Sequence, residues 1–363
     1  MTTPTPRPGI LDIEPYVPGA ASAPGAAKVY KLASNESALG APPGAVEAAK
    51  KAAESLYRYP DGSAAALREK LGEVHALDPK RIVCGAGSDE ILQLLCRAYV
   101  GAGDNVIQTE FGFLIYAIAT QACGGEIRFA KEKNLAADVD AILELADAKT
   151  RIVFLANPNN PTGTYIPEAS LRRLRDGLRD DILLVLDAAY AEFVEAPDYE
   201  AGAAFVDSFD NVVMTRTFSK IYGLASLRLG WGYCPAAIAD ILNRIRGPFN
   251  VTGTALAAGV AALDDQDFVA RNRAHNRAER DFLAQRLGGM GLEFIPSAAN
   301  FILVKFPDET GRRAADIDAF LRRGGVIVRD MTAYRLGDYL RVSVGSHEAN
   351  RRLVALLSEK FPS

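Results

Sequence analysis

In DILLVLDAAYAEFV, Asp181 to Val194, an unbroken apolar run from Ile182 to Leu186 ends on a carboxylate, Asp187. A strand with one face in water alternates polar and apolar residues, so a run without alternation belongs to a strand covered on both faces. The reading is a mostly parallel sheet with helices on either side, an α/β architecture. The same texture recurs in RIVCGAGSDE from Arg81, DNVIQTEFGF from Asp104, RIVFLANPNNPTG from Arg151 and NVVMTRTFSK from Asn211. Each run stops at polar or Gly/Pro-rich residues, and the first leads into a helix with Ile91, Leu92, Leu94, Leu95 and Ala98 on its inner face. Ligands of such sheets bind outside the carboxyl ends of the strands. Ser88, Asn160, Asp187, Ser219 and Lys220 are therefore expected to face one crevice.

Outward from this core the chain divides. Residues 1–30 are rich in Pro, Gly and Ala and read as an extended arm lying on something else. Residues 31–265 read as the large unit with the central sheet, whose first residues can pack with the remainder. From 266 the charged helix of DQDFVARNRAHNRAERDFLAQRL gives way to the short strands and helices of a smaller α+β unit, 266–363. With 363 residues, 49% of them hydrophobic, there is material for two such domains. A formal net charge of -4 on a mixed-sign surface leaves no footprint for nucleic acid or an anionic membrane, so a small-molecule partner is expected. Apolar stretches such as TALAAGVAAL from Thr254 are too short to cross a bilayer, and a cytoplasmic location is expected. Cys84, Cys96, Cys123 and Cys234 have neither zinc-site spacing nor the density of a disulfide scaffold, and read as reduced and mostly buried. His75, His275 and His347 show no ligand spacing, so no metal site is expected.

The chemistry begins with Asp187. A buried unpaired carboxylate costs several kcal/mol, roughly, so it needs a cation or strong donors. One reading is a cap for the segment that follows it. The other takes in Tyr190 three residues on, Asn160 at another strand end, and Lys220 in an acid-free loop after a third. A single ligand, pyridoxal phosphate, would use all four. Its ring nitrogen must stay protonated to act as an electron sink, which a buried aspartate secures. Its phenolic oxygen wants an amide and a phenol, and its aldehyde wants an amine not already paired with an acid. Its phosphate would find the glycine turn and helix start of GAGSDE, Gly85 to Glu90, although Ser88 as a plain N-cap is the competing reading. Thr217, Ser219 and Arg228 can complete the ring of donors.

The set NPNNPTG, LDAAY, TFSKIYGLASLRLGW and YLRVSVG resembles the fold-type-I pyridoxal-phosphate-dependent aminotransferases. YVPG at Tyr16, LASNES at Leu32 to Ser37, YRYPDG at Tyr57 to Gly62 and GSDEIL narrow the resemblance to the histidinol-phosphate aminotransferase family. It covers nearly the whole chain. The resemblance implies that Lys220 is the Schiff-base lysine and proton shuttle, and that Asp187 is the pyridinium partner. Asn160 and Tyr190 would meet the phenolic oxygen, and Ser88, Thr217, Ser219 and Arg228 the phosphate. Phe113 falls where a ring stacks on the cofactor and many relatives have Tyr. Phe111 and Ser226 are further departures beside the ring. Tyr59 matches a tyrosine reaching the phosphate from the neighbouring subunit of a homodimer, with a packed turn aromatic as the alternative. Arg341 corresponds to the arginine that grips the substrate's anionic group, with Arg329 nearby; a surface ion pair is the alternative for each. Tyr16 and Asn35 are candidates for the wall of the substrate pocket.

The activity implied is transamination of an amino donor with a 2-oxo acid acceptor, histidinol phosphate and 2-oxoglutarate giving imidazole acetol phosphate and glutamate, in histidine biosynthesis. Three rivals stand beside it: an aromatic-amino-acid aminotransferase using Phe113, Phe111 and Tyr16, a decarboxylase of a phosphorylated amino acid, and a non-enzymatic cofactor-binding regulator. The last would need a DNA-binding or partner domain for which the arm is too short.

Overall fold

In the computed structural model, which describes residues 4–20, 22 and 25–362, the apolar runs become one seven-stranded sheet. Its strands in chain order are β1 (Ile82–Gly85), β2 (Asn105–Thr109), β3 (Glu126–Ala130), β4 (Thr150–Ala156), β5 (Leu183–Asp187), β6 (Val212–Thr217) and β7 (Gly230–Tyr233). Across the sheet they lie in the order β1-β7-β6-β5-β4-β2-β3. Strand β7 runs antiparallel to both neighbours, and the other pairings are parallel.

The unbroken texture of β5 has the expected cause. Leu184 and Leu186 enter one core with Val153, Leu155 and Met214. Leu183 and Val185 enter another, on the opposite face, with Ile152, Phe154 and Val213. Successive side chains of a strand point to opposite faces, so a strand with a core on each side has no position for a polar residue until it leaves the sheet. Asp187 stands at that exit.

The second sheet has four antiparallel strands, β8 (Phe294–Ile295), β9 (Phe301–Lys305), β10 (Arg329–Asp330) and β11 (Tyr339–Ser343), in the order β8-β9-β11-β10. It is joined to the first by the helices Gly253–Asp264 and Gln266–Gly289, the latter started by the Asp265 carboxylate, which accepts from the Phe268 N–H at 2.9 Å. The run VIVRDM divides between two sheets: Val326–Ile327 pairs in parallel with Tyr30–Lys31, while Arg329–Asp330 pairs with β11. Leu32 accordingly sits in the core of the second unit. Before Tyr30 the described residues form a single 3-10 turn, Ile10–Asp12. The cysteines are free, with Cys123 half-buried and the others buried. Among the described residues no helix is long and apolar enough to cross a membrane, and no cluster of His, Cys, Asp and Glu has metal-ligand geometry.

Candidate active site

A cavity of about 300 Å³ opens at the carboxyl ends of β4, β5 and β6, against the second sheet. Ser88, Asn160, Asp187, Ser219 and Lys220 all line it, from four separate strand exits. Phe113, Tyr190, Thr217 and Arg228 reach it from the same unit, and Arg329 and Arg341 from the second. Tyr16 of the arm and Asn35 complete its wall. Of the other residues singled out from the sequence, Ser226 does not line the cavity, Phe111 packs instead against the core of Leu303, Met331, Tyr334 and Leu336, and Tyr59 lies elsewhere. It is 82% exposed and stacks on Phe249 with centroids 4.5 Å apart.

Asp187 caps no helix. The 3-10 turn that follows, Ala191–Phe193, has Tyr190 as its N-cap. The carboxylate instead accepts from the Tyr116 hydroxyl at Oδ2, 2.7 Å, and from Thr215 at Oδ1, 3.2 Å. Burial pushes this acid up to about 6; the Tyr116 bond opposes the shift, the Asp89 charge adds to it, and the Thr215 bond opposes it. No cation among the described residues lies within ion-pair distance of it. A buried acid with two donors and no cation is matched to a positively charged group in the cavity.

Lys220, the lone lysine of its loop, likewise has no acid partner. Its Nζ donates to the Ser34 carbonyl at 3.3 Å and stands 5.7 Å from the centroid of the Tyr190 ring. Asn160 and Tyr190 are both left as donors. The Asn160 Oδ1 accepts from Arg341, which leaves its Nδ2 hydrogens, and the Tyr190 oxygen accepts from Asn35 Nδ2 at 2.9 Å, which leaves its own O–H. Two poised donors call for an acceptor oxygen between them.

At the other end of the cavity the helix Ser88–Tyr99 begins. Its N-cap is Gly87, so Ser88 is the first helical residue and not the cap. Gly87 has φ +84°, and a Cβ there would lie 2.5 Å from Arg228 Nη2. A Cβ on Gly230 would lie 2.1 Å from Ser88 N. Both glycines are what lets the guanidinium and the helix start converge. Arg228 donates to Ser219 Oγ at 3.3 Å and to Asp89 Oδ2 at 3.2 Å, while Thr217 Oγ1 accepts from Ser219 N at 3.1 Å. A helix N-terminus, two hydroxyls and a guanidinium make an anion corner.

The second sheet brings a second anion site. Arg329 and Arg341 are direct partners across β10 and β11. Both are buried, at 9% and 5% exposure, and among the described residues neither has a carboxylate within 4 Å. The surface ion pair read as an alternative for each is therefore absent. Like charges directly opposite in a sheet repel, and burial, reinforced by Arg329, lowers the Arg341 guanidinium below its usual value. Arg341 donates to Ala33 O at 2.9 Å and Arg329 to Val17 O at 2.7 Å. Carbonyls orient such a pair without neutralising it, and an incoming carboxylate or phosphate would do both.

Tyr116 carries no signal in the sequence, since it lies in the apolar helix Leu114–Ala122 and reads there as core. Thr215 was findable, since it shares a face with Thr217 and stands beside Asp187 in the β5–β6 register.

Known proteins resemble this arrangement over nearly the whole chain. The family profile described as Aminotransferase class I and II matches residues 27–357. A histidinol-phosphate aminotransferase of Maricaulis maris (strain MCS10) is 55% identical over 97% of this chain and 98% of its own. One from Paramagnetospirillum magneticum (strain ATCC 700264 / AMB-1) is 52% identical over 99% of each. Among solved structures, histidinol-phosphate aminotransferase from Sinorhizobium meliloti in complex with pyridoxal-5'-phosphate superposes with a TM-score of 0.86 at 28% identity, covering 92% of this chain and 91% of that one.

Proposed function

The chain belongs to the aminotransferase class I and II family, and on that premise we propose that it is a pyridoxal-phosphate-dependent histidinol-phosphate aminotransferase. It transfers the amino group of histidinol phosphate to 2-oxoglutarate, giving imidazole acetol phosphate and glutamate. The observation that carries the reading is the pairing of two uncompensated charges in one cavity: a buried acid without a cation at Asp187, and buried cations without an acid at Arg329 and Arg341.

The residues present fit the cofactor. Asp187 would hold a protonated ring nitrogen, Asn160 and Tyr190 would donate to a phenolic oxygen, and Phe113 would cover a flat ring. Ser88, Thr217, Ser219 and Arg228 would hold the phosphate, and Lys220 the aldehyde carbon. When bound, the cofactor supplies an aldehyde that exchanges amines and a cationic ring that takes up electron density as the substrate carbon loses its proton. With the cofactor bound, Lys220 Nζ would be the base that removes that proton and the acid that returns one. Arg341, with Arg329 beside it, grips the anionic end of each substrate in turn, so donor and acceptor share one site. Tyr16 and Asn35 wall that site, and the buried surroundings limit water.

The same reading assigns residues 1–30 to an arm, 31–265 to the cofactor-holding unit and 266–363 to the smaller one. It makes the protein a cytoplasmic homodimer. Leu56, Tyr57 and Tyr59 are 75%, 77% and 82% exposed, a run of apolar side chains too large to leave in water without cause. In the dimer the partner's copy of Tyr59 would complete the phosphate site.

The test is turnover of histidinol phosphate with 2-oxoglutarate by the purified protein and by Lys220→Ala. The wild type should release glutamate and the variant none. Faster turnover of phenylalanine or tyrosine than of histidinol phosphate would move the assignment to an aromatic aminotransferase, and release of carbon dioxide without an acceptor to a decarboxylase. An active Lys220→Ala protein would refute the mechanism itself.

A further inference from the structure

The Asp187 carboxylate is the charge on which the proposed chemistry turns, and it is held by a residue with no assigned role. Tyr116 is 1% exposed and lies in the core that covers one face of the central sheet. Its ring stacks on Phe154 at 4.6 Å and 6°, and meets Phe113 edge-on at 5.8 Å and 90°. Its hydroxyl has one hydrogen-bond partner, Asp187 Oδ2 at 2.7 Å. For packing alone a phenylalanine would serve at least as well, because a buried hydroxyl costs free energy unless it is bonded. Burial and the neighbouring Asp187 charge push the Tyr116 phenol well above its ordinary range, so it stays a donor at every working pH.

Position adds to this. Phe113 is the N-cap of the helix Leu114–Ala122, and Tyr116 follows it by three residues, on the same face. One helix end thus presents a ring to the cavity and a hydroxyl to the acid behind it. Thr215, the register partner of Asp187 on β6, takes Oδ1 with a longer bond.

We propose that Tyr116 is the positioning residue for Asp187: its hydroxyl holds the carboxylate by Oδ2, in one orientation and in its anionic form, for the cofactor's ring nitrogen. The proposal rests on the reading that Asp187 faces that nitrogen. The titratable and charged groups beside Asp187, apart from Tyr116, are Asp89, whose charge opposes the anion, Tyr190, Lys220 and Arg228, which line the same cavity, and the phenol of Tyr199 behind it.

The experiment measures the dissociation constant of pyridoxamine 5'-phosphate, which binds without a covalent bond to Lys220. It uses full-length apoprotein between pH 5.5 and 8.5, as wild type, Tyr116→Phe, Asp187→Asn and the double variant. The phenyl ring keeps both aromatic contacts, and thermal unfolding of each apoprotein confirms the fold. Tyr116→Phe should weaken binding about tenfold or more at neutral pH, the usual scale for a lost hydrogen bond to a buried charge. It should also move the acid limb of binding to higher pH, because the donor that favours the carboxylate is gone. In the Asp187→Asn background the same change should cost about threefold or less. An equal loss in both backgrounds, or an unmoved acid limb, would make Tyr116 a packing residue and overturn the proposal. If Asp187→Asn binds as wild type does at every pH, the reading of Asp187 fails first.

Discussion

Arg341→Lys removes the fork and keeps the charge, which makes it a sharp test of how the substrate is held. In the structure the Arg341 guanidinium spends one hydrogen on Ala33 O at 2.9 Å and one on Asn160 Oδ1. Its Nε is buried and has no partner. An incoming carboxylate or phosphate can therefore be met by a planar group already oriented and carrying unspent donors. A lysine ammonium has three hydrogens on one atom and cannot keep both protein contacts while presenting two parallel donors to an anion. The loss expected is about one charge-assisted hydrogen bond, roughly 1.5–3 kcal/mol, which is about ten- to 150-fold in kcat/KM. On the proposal that donor and acceptor use the same arginine, the deficit should appear with both histidinol phosphate and 2-oxoglutarate, mainly in KM. Each half-reaction followed in single turnover, with the other substrate absent, gives the two values separately. A fall of less than about threefold for both substrates would show that Arg341 does not grip the anion, and the argument from its buried repulsion with Arg329 would collapse.

Glu132 offers a stability test away from the chemistry: half-buried, it accepts from Phe111 N and Asn159 Nδ2, each at 3.3 Å, and desolvation pushes it up to about 7. A carboxyl raised in the folded state binds more protons there than in the unfolded chain between about pH 4.5 and 7, so stability should fall as pH rises through that window, by on the order of 2–3 kcal/mol. Glu132→Gln should flatten this slope and raise the thermal midpoint at pH 8 but not at pH 4.5; an unchanged slope would refute the assignment. Tyr59→Phe should leave folding intact, since the side chain is 82% exposed and its stack on Phe249 survives, yet weaken cofactor retention about tenfold by removing a hydrogen bond to phosphate. An unchanged dissociation constant would take Tyr59 out of the neighbour's site.

What could be read from the chain follows the physics of each feature. Unbroken apolar runs betray a sheet covered on both faces, and polar residues at their ends must then point somewhere, so Asp187, Asn160 and Lys220 were legible as one group. Register was not. Nothing in VIVRDM and YLRVSVG shows that Arg329 and Arg341 stand opposite each other, because cross-strand pairing is fixed by turns and by the face that is buried. Tyr116 was hidden for a different reason: in LIYAIAT a tyrosine at a buried helical position looks the same whether its hydroxyl is spent or functional. Ser88 fitted the pattern of an N-cap, yet Gly87 takes that place because only a glycine there leaves room for Arg228.

The hardest contacts to foresee are those made by backbone atoms, and the segment Ala33 to Asn35 is built from them. Ala33 O accepts from Arg341, Ser34 O from Lys220, and Asn35 O from Asn300. The Asn35 side chain then ties Tyr190, in the first unit, to Ser343 on β11, two residues beyond Arg341. Asn35 is 1% exposed and adopts φ 55°, a conformation that asparagine tolerates better than most residues. LASNES could be quoted from the sequence only as a likeness, since carbonyls look the same in every residue. In three dimensions it is a strap whose consecutive residues touch Arg341, Lys220 and Tyr190. Three side chains from three separate elements are therefore tied to one another through two peptide units.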